Sequence, residues 1–376
     1  MRLLITGDFF VSNPNKIHID KNIRDLFFSC DYRIVNCEAP IIDSNDTDIS
    51  FIKSGPRLMQ PIDSIGLLKE IKVDALTLSN NHIMDQGIQG YYKTINSLND
   101  FMLLGAGNWD EAYGVKKIII GGIKVGLINL SEMQFGMLSD EWIQDKNAIG
   151  CAWVNHTRVN KLIIEEKKDV DYLVAIVHAG LEMLEVPLPE WRDRYREMVD
   201  LGCDAVIAHH PHVVQGYEIY KGKPIVYSLG NFCFTNIEGQ DESKWNTGAI
   251  AILNIEYNNL ELELHGCHLC RGVLSKIDKN KWDKNLKQLC NCLISPEYQN
   301  IVNTSSLAYM KNYWELFAMG GLFNPKCLTI KDLGRLLLRK YNYVHAINNI
   351  QCESHRWCVL RALKSIIYNN NKNKYE

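Results

Sequence analysis

Short apolar, β-branched runs alternate with amphipathic stretches along the first 270 residues of this 376-residue chain. Apolar runs of about four to eight residues are typical of buried strands, whereas apolar residues spaced three or four positions apart are typical of helices. The alternation therefore predicts an α/β fold. The predicted strands are residues 3–6, 33–36, 75–79, 125–129, 172–177, 205–208 and 225–228.

The helix predicted over residues 189–201 has a signal at each end. Pro189 suits the first turn, an apolar stripe of helical spacing follows, and Gly202 favours termination. Two later strands are predicted over residues 246–256 and 260–269, joined by an asparagine-rich turn.

Strand signals fade beyond about residue 270, so we predict one domain over residues 1–270 and a basic, mainly helical region over residues 271–376. The first part holds 24 Lys and Arg against 37 Asp and Glu, whereas the second holds 17 against 7. The acidic main domain argues against binding to nucleic acid. Amphipathic basic helices are predicted over residues 329–343 and 357–368. They form either a helical subdomain packed on the main domain or a surface that docks on an anionic membrane or an acidic partner.

Twelve cysteines are scattered through the chain, most of them in apolar surroundings, which fits a reducing cytoplasm better than secretion. A Gly-Asp turn at residues 7–8 comes too early for a signal peptide, and no apolar run approaches the roughly 20 residues that span a bilayer. We therefore expect a cytoplasmic protein, with peripheral association at a membrane surface as an option. A structural zinc site at Cys267, Cys270, Cys290 and Cys292 is not favoured, because their spacing is irregular.

Five of the predicted strands end in residues that bind metals or transfer protons. The carboxyl ends of strands in an open α/β sheet meet at a common ligand site, so these residues are expected to share one metal site. Carboxylate and amide oxygens mixed with imidazoles suit Mn, Fe or Zn better than Mg or Ca, as one or two ions. The strand-end clusters are Gly7-Asp8, Asn36-Cys37-Glu38, Asn80-Asn81-His82, His178-Ala179-Gly180 and His209-His210-Pro211-His212.

The ordered set of these motifs resembles the CapA family of capsule and poly-γ-glutamate biosynthesis proteins, whose domain is similar to calcineurin-like metallophosphoesterases. The resemblance spans roughly residues 1–265 and includes Tyr227-Ser228-Leu229-Gly230-Asn231-Phe232. It implies a metallophosphoesterase-like α/β sandwich, here followed by the C-terminal helical subdomain. It also implies a set of metal ligands, with Glu38 in the place of the bridging carboxylate. These ligands are Asp8, Glu38, Asn81, His178, His210 and His212.

The same resemblance makes His82 the catalytic histidine, placed to protonate a leaving oxygen. Asp85 either orients His82 or caps a helix predicted over residues 88–98. Further polar residues are assigned to the second shell or to substrate contacts, although each also suits an ordinary structural role. These residues are Asn36, Glu182, His209 and Asn231.

One position departs from the wider metallophosphoesterase pattern. That pattern has Asp-x-His at its first motif, whereas this chain has Asp8 followed by Phe10. One ion would therefore lose a nitrogen ligand, which weakens the case for dinuclear phosphatase chemistry. Lys53, Arg57 and Lys223 are either contacts for an anionic substrate or ordinary solvated residues.

Two functions follow from these observations. The first is a metal-dependent hydrolase acting on a phosphoester during synthesis of capsule, poly-γ-glutamate or a related surface polymer. Its expected partners are an anionic polymer, a phosphorylated glycan or a lipid-linked intermediate. The second is a non-catalytic metal- or polymer-binding component of a biosynthetic complex, which Phe10 and the basic C-terminal region favour. A third function is cleavage of amide bonds in a γ-glutamyl polymer, and the sequence does not distinguish it from cleavage of an ester.

Overall fold

The computed structural model describes residues 1–43, 52–140, 145–235, 242–317 and 343–375. Within these residues, strands and helices alternate along most of the chain. The strands are β1 (Arg2–Phe10), β2 (His18–Ile19), β3 (Tyr32–Cys37), β4 (Ala75–Thr77), β5 (Met102–Leu104), β6 (Ala106–Gly107), β7 (Lys116–Ile120), β8 (Ile123–Ser131), β9 (Met137–Leu138), β10 (Gly150–Ala152), β11 (Tyr172–His178), β12 (Ala205–His209), β13 (Tyr217–Tyr220), β14 (Lys223–Val226), β15 (Asn231–Phe234), β16 (Thr247–Glu256), β17 (Asn259–Cys270) and β18 (Val273–Lys276).

Helices follow or separate these strands, and the longest of them come late in the chain. The α-helices are α1 (Lys21–Phe28), α2 (Ser64–Glu70), α3 (Gly87–Ser97), α4 (Trp109–Ala112), α5 (Thr157–Glu166), α6 (Pro189–Leu201), α7 (Glu242–Trp245), α8 (Lys279–Ile294), α9 (Tyr298–Phe317), α10 (Tyr343–Gln351) and α11 (Glu353–Tyr375). None of the described helices is both long and apolar enough to cross a bilayer.

Two large sheets form the centre of the molecule. The first has nine strands in the order β2-β18-β17-β16-β1-β3-β4-β5, with β15 also paired to β1. The second has six strands in the order β13-β14-β12-β11-β8-β7, and a small sheet joins β6, β10 and β9. In the second sheet, β8, β11, β12 and β14 run parallel, so their carboxyl ends lie at one edge.

The two large sheets face each other across a shared apolar core. Ile5 from the first sheet and Ile176 and Ile207 from the second belong to one buried cluster between them. The outer face of the first sheet packs on α1 to α3, and that of the second packs on α5, α6, α9 and α11. Burial on both faces explains why the central strands are almost continuously apolar. The predicted α/β sandwich is thus confirmed.

Each of the seven strands predicted in the main domain overlaps an observed strand, and the helix over residues 189–201 coincides with α6. The predicted late strands correspond to β16 and β17. Weaker elements were missed, because β7 and β13 lie at the two margins of the second sheet and carry mixed polar and apolar residues.

The predicted division at residue 270 stays a prediction. β18 lies just beyond it and pairs with β17, while Val302 and Cys358 of the helical region are buried in the core over the second sheet. The helix predicted over residues 357–368 falls within α11. The helix predicted over residues 329–343 lies almost wholly outside the described residues.

Candidate metal centre

Close approach of the two large sheets brings their polar strand ends together. A Cβ atom at Gly7 would lie 1.8 Å from the carbonyl oxygen of Gly230, so only glycine fits there. This contact sets β1 against the turn between β14 and β15, and the backbone amide of His210, just after β12, donates to Asp8 Oδ2 at 3.3 Å. In the second sheet, parallel pairing of β11 and β12 sets His178 directly against His209.

Asp8, His178 and His209 form a first group whose possible ligand atoms lie within 4.8 Å of one another. His209 Nδ1 is 2.8 Å and His178 Nδ1 is 3.7 Å from Asp8 Oδ1. The Asn36 side-chain amide donates a hydrogen bond to the same oxygen, at 2.8 Å. All three members are buried and lie on strands β1, β11 and β12, so the two sheets fix their backbone positions.

Glu38, His210 and His212 form a second group with the same spacing of ligand atoms. His212 Nε2 lies 3.6 Å from Glu38 Oε1. Its Nδ1 lies 2.9 Å from Asn231 Oδ1, and the Asn231 amide nitrogen donates to Trp245 O at 2.9 Å. Because these bonds set Nδ1 as the donor, Nε2 is the ring nitrogen of His212 that can bind a cation.

The backbone of the second group has an uncommon conformation. His210 has φ of 106° and His212 has φ of 58°, whereas non-glycine residues favour negative φ. Strained backbone of this kind persists where surrounding contacts over-determine it, often at functional sites.

The two groups are contiguous. His178 Nε2 is 3.7 Å from Glu38 Oε1, and His212 Nδ1 is 3.5 Å from Asp8 Oδ2. Asn81 Oδ1 lies 2.9 Å from His178 Nε2, so the amide predicted as a ligand stands at their junction.

Several buried atoms of the centre have no hydrogen-bond partner among the residues that the structure describes. They are both carboxylate oxygens of Glu38, Nε2 of His209 and Nδ1 of His210. A buried polar atom without a partner is costly, and these four are oxygens and imidazole nitrogens. Such a donor set suits divalent transition ions, so the residues present fit the metal that was predicted.

The pKa shifts of the buried carboxylates and histidines are consistent with a metal site. Burial raises the pKa of Glu38 well above its ordinary value, and the neighbouring Asp8 raises it further. Burial lowers the pKa of His178 well below its ordinary value, and the charges of His210 and His209 add to the effect. Burial would also raise the pKa of Asp8, but His209 and the other histidines outweigh it and lower the pKa. A bound cation would stabilise the ionised carboxylates and the neutral imidazoles together.

Asp85 contacts His82 and does not cap a helix. Its Oδ2 lies 2.7 Å from His82 Nδ1, whereas α3 begins at Gly87 after Gln86, without a side-chain cap. The capping alternative is therefore wrong. Lys53 forms a buried ion pair with Asp85 and lies 3.3 Å from His82 Nδ1. Burial lowers the pKa of His82; Asp85 opposes this and Lys53 adds to it.

Glu132 is a member of this site that sequence reasoning missed. It follows β8, is fully buried, and its Oε1 accepts a hydrogen bond from His210 Nε2 at 3.1 Å. The signal was present, because Glu132 comes shortly after the strand predicted over residues 125–129, as the other site residues follow theirs. His209, predicted as a supporting residue, lies in the first group of possible ligands.

The remaining predicted residues lie at different distances from the centre. Glu182 is an exposed residue whose carboxylate interacts with the charges of His210 and His212. Arg57 donates to the backbone oxygen of Asp85 at 2.8 Å and so lies beside His82. Lys223 begins β14, pairs with Asp204 and is not brought to the site.

Phe10 takes no part in either group. Its ring packs on Phe234 at 4.9 Å, and Phe234 packs on His212 at 5.2 Å. Trp245 lies 4.5 Å from the His212 ring, so an apolar aromatic wall occupies this side of the site.

Cysteine does not contribute to either group of possible ligands found among the described residues. Cys267 is buried within β17, whereas Cys270 is exposed at its end.

Fold and site together define an α/β sandwich protein with a buried carboxylate–histidine centre at its strand ends. The sequence profile of the family described as "Bacterial capsule synthesis protein PGA_cap" matches residues 11–236, which is more than half of the chain. The chain belongs to this family, as its motifs predicted.

Two Bacillus proteins are among its relatives. The "PGA biosynthesis protein CapA" of Bacillus subtilis is 30% identical over 215 residues, covering 56% of this chain and 55% of that protein. The "Capsule biosynthesis protein CapA" of Bacillus anthracis is 26% identical over 249 residues, covering 62% and 60%. The aligned part of the chain thus spans less than two thirds of the length of these curated relatives.

Among solved structures, a 5'-nucleotidase from Candida albicans is 12% identical, with a TM-score of 0.40 over 77% of this chain and 58% of that one. At this TM-score the likeness carries no inference about activity.

Proposed function

We propose that this protein is a metal-dependent hydrolase that cleaves a phosphoester during synthesis of capsule, poly-γ-glutamate or a related surface polymer. The observation that carries the proposal is a set of buried atoms at the strand ends of a capsule-family domain. These atoms of Glu38, His209 and His210 find no hydrogen-bond partner within the described ranges.

The residues that would hold one or two ions are Asp8, His178 and His209 on one side and Glu38, His210 and His212 on the other. Mn, Fe or Zn bound there would polarise a phosphoryl oxygen and lower the pKa of water.

The chain's own residues supply positioning and proton transfer. Asp85 holds Nδ1 of His82 at 2.7 Å, which leaves Nε2 as the nitrogen that faces a substrate and protonates a leaving oxygen. Lys53 and Arg57 lie next to this pair, and their positive charge favours an anionic substrate there. A phosphorylated glycan, a lipid-linked intermediate or an anionic polymer has the required charge.

An assay of the purified protein with Mn, Zn or Fe tests this proposal. Phosphomonoesters, phosphodiesters and γ-glutamyl amides are offered to the wild type, His82→Ala, His210→Ala and a control, His18→Ala, whose histidine is exposed on β2. We expect ester cleavage by the wild type and the control, and a loss of about 100-fold or more in the other two variants. Equal rates in all four proteins would contradict the proposal. Cleavage of amides alone would show that the substrate bond is an amide and not a phosphoester.

A second function, a non-catalytic component of a polymer-synthesis complex, is favoured by Phe10. Its side chain belongs to an apolar cluster where the wider pattern has a histidine ligand. In this case the basic C-terminal region would dock on a membrane or an acidic partner. Polymer production distinguishes the two in a host whose own gene for this protein is deleted, because a copy that carries His82→Ala restores production only if catalysis is not required.

A further inference from the structure

We propose that Glu132 is a positioning residue of the metal centre and that the first turn of α11 holds it in place, so that metal binding and docking of this helix are linked. The inference rests on the proposed metal centre and adds to it a role for the C-terminal region.

Glu132 fixes the orientation of one candidate ligand. A carboxylate can only accept, so the 3.1 Å contact makes Nε2 of His210 the donor to Glu132 Oε1. The opposite nitrogen, Nδ1, then carries the lone pair, and it is buried with no hydrogen-bond partner in the described part of the chain. A carboxylate that orients a histidine in this way sets its tautomer and raises its basicity toward a metal.

The second oxygen of Glu132 is held by the C-terminal helix. Ser354 Oγ donates to Glu132 Oε2 at 2.6 Å, and the backbone amide of Ser354 donates to the same atom at 3.3 Å. Ser354 Oγ in turn accepts a hydrogen bond from Trp191 Nε1 at 2.9 Å, which fixes the direction of its proton. The N-terminus of α11 also favours a nearby negative charge.

Glu353, the residue before Ser354, also anchors the first turn of α11. Glu353 is buried and accepts hydrogen bonds from Met133 N at 2.7 Å, from Trp153 Nε1 at 2.7 Å and from Asn155 Nδ2 at 2.9 Å. Met133 directly follows Glu132, so α11 contacts the side chain of one residue and the backbone of the next.

These contacts make one continuous path from α11 to His210. Without Ser354, a fully buried carboxylate would lose its strongest donor, and His210 would lose its fixed partner. If a metal ion needs His210 in the observed orientation, the ion binds more tightly when α11 is docked. By reciprocity, the ion then stabilises the docked helix by the same factor.

Metal affinity measured by calorimetric titration with Mn²⁺ and Zn²⁺ tests the linkage in the full chain. We expect Glu132→Gln to lower affinity by about 10- to 100-fold and Ser354→Ala by about 10-fold. The matched control is Ser365→Ala on the same helix, whose hydroxyl bonds to Arg361 O at 3.0 Å. This control should leave affinity unchanged.

Two further readouts separate positioning from a merely structural role. In the Co²⁺-loaded protein, Glu132→Gln should change the visible absorption bands, because the coordination by His210 changes. In hydrogen exchange, metal should increase protection of the first turn of α11 in the wild type and in Ser365→Ala, but much less in Ser354→Ala.

The outcomes are distinguishable from failure of the proposed function. A wild type that binds metal, with Glu132→Gln and Ser354→Ala showing the same affinity, spectrum and exchange response, overturns the linkage alone, even if both variants are less stable. A wild type that binds none of these metals overturns the metal centre and the linkage with it.

Discussion

The two halves of the candidate metal centre are built in different ways. Asp8, His178 and His209 lie on strands, and the pairing of β11 with β12 sets the two histidines side by side. Glu38, His210 and His212 lie just after strands, and both histidines have positive φ.

This difference determines what each half needs from the rest of the molecule. The strand half is positioned first by backbone hydrogen bonds of the sheets, and Asn36 and Asn81 add side-chain contacts to Asp8 and His178. The loop half depends on side chains from elsewhere, since Glu132 holds His210 and Asn231 holds His212. We infer that the loop half is the adjustable part of the site and the one through which distant regions act on it.

Loss of a strand-half ligand is expected to have the largest effect. His209→Ala should lower affinity for Mn²⁺ or Zn²⁺ by more than about 100-fold, because it removes a ring that contacts Asp8 at 2.8 Å. Calorimetric titration measures the change, with His18→Ala as the control. A decrease in metal affinity of only a few-fold would show that His209 is a supporting residue, as the sequence predicted, and not a ligand.

Removal of metal should loosen the loop half more than the strand half. We expect a chelator to increase hydrogen exchange at the amides of His210, His212 and Val213, while residues 174–178 of β11 stay protected. Metal at about 100 times its dissociation constant contributes about 2.7 kcal/mol, which raises the melting temperature of a chain this long by about 3 °C. Equal loss of protection in both segments would contradict the comparison.

A smaller effect is expected from the support of His212. Asn231→Ala removes the 2.9 Å contact with His212 Nδ1, so metal affinity should fall by about 10-fold. The matched control is Asn285→Ala, which changes an exposed residue of α8. Unchanged affinity for Asn231→Ala would show that the loop half holds its ring without this amide.

The smallest effect on metal binding is expected from Phe10→His. The new side chain would lie in the aromatic cluster with Phe234, so it should not add an ion. It should lower the free energy of unfolding by about 2 kcal/mol, because a polar ring replaces an apolar one in a buried position. Denaturant unfolding and elemental analysis measure the two quantities. One additional ion per chain would show that a histidine at position 10 can bind metal from within the aromatic cluster.

Much of this architecture follows from the sequence, because central strands buried on both faces are continuous apolar runs. The site residues at strand ends could be found for the same reason, since parallel strands bring their carboxyl ends together. Glu132 escaped notice because a lone glutamate after a strand resembles a surface residue. Its buried carboxylate accepts a hydrogen bond from Ser354, 222 positions away, and such a contact leaves no periodic signal in the sequence.

The sequence also could not show which of His209 and His210 is a metal ligand and which is a supporting residue. His209 and His210 are adjacent, and only the backbone conformation of the loop decides which ring faces which carboxylate. His209 continues strand β12 toward Asp8, whereas the positive φ of His210 turns its ring toward Glu132.

Anomalous diffraction from crystals grown with Mn²⁺, Fe²⁺ or Zn²⁺ shows directly whether ions bind at the two groups. We expect an anomalous peak within bonding distance of Asp8, His178 and His209, and a second beside Glu38, His212 and Nδ1 of His210. Absence of any peak at both groups, in crystals of folded protein that contain the metal, would show that the strand ends do not form a metal centre.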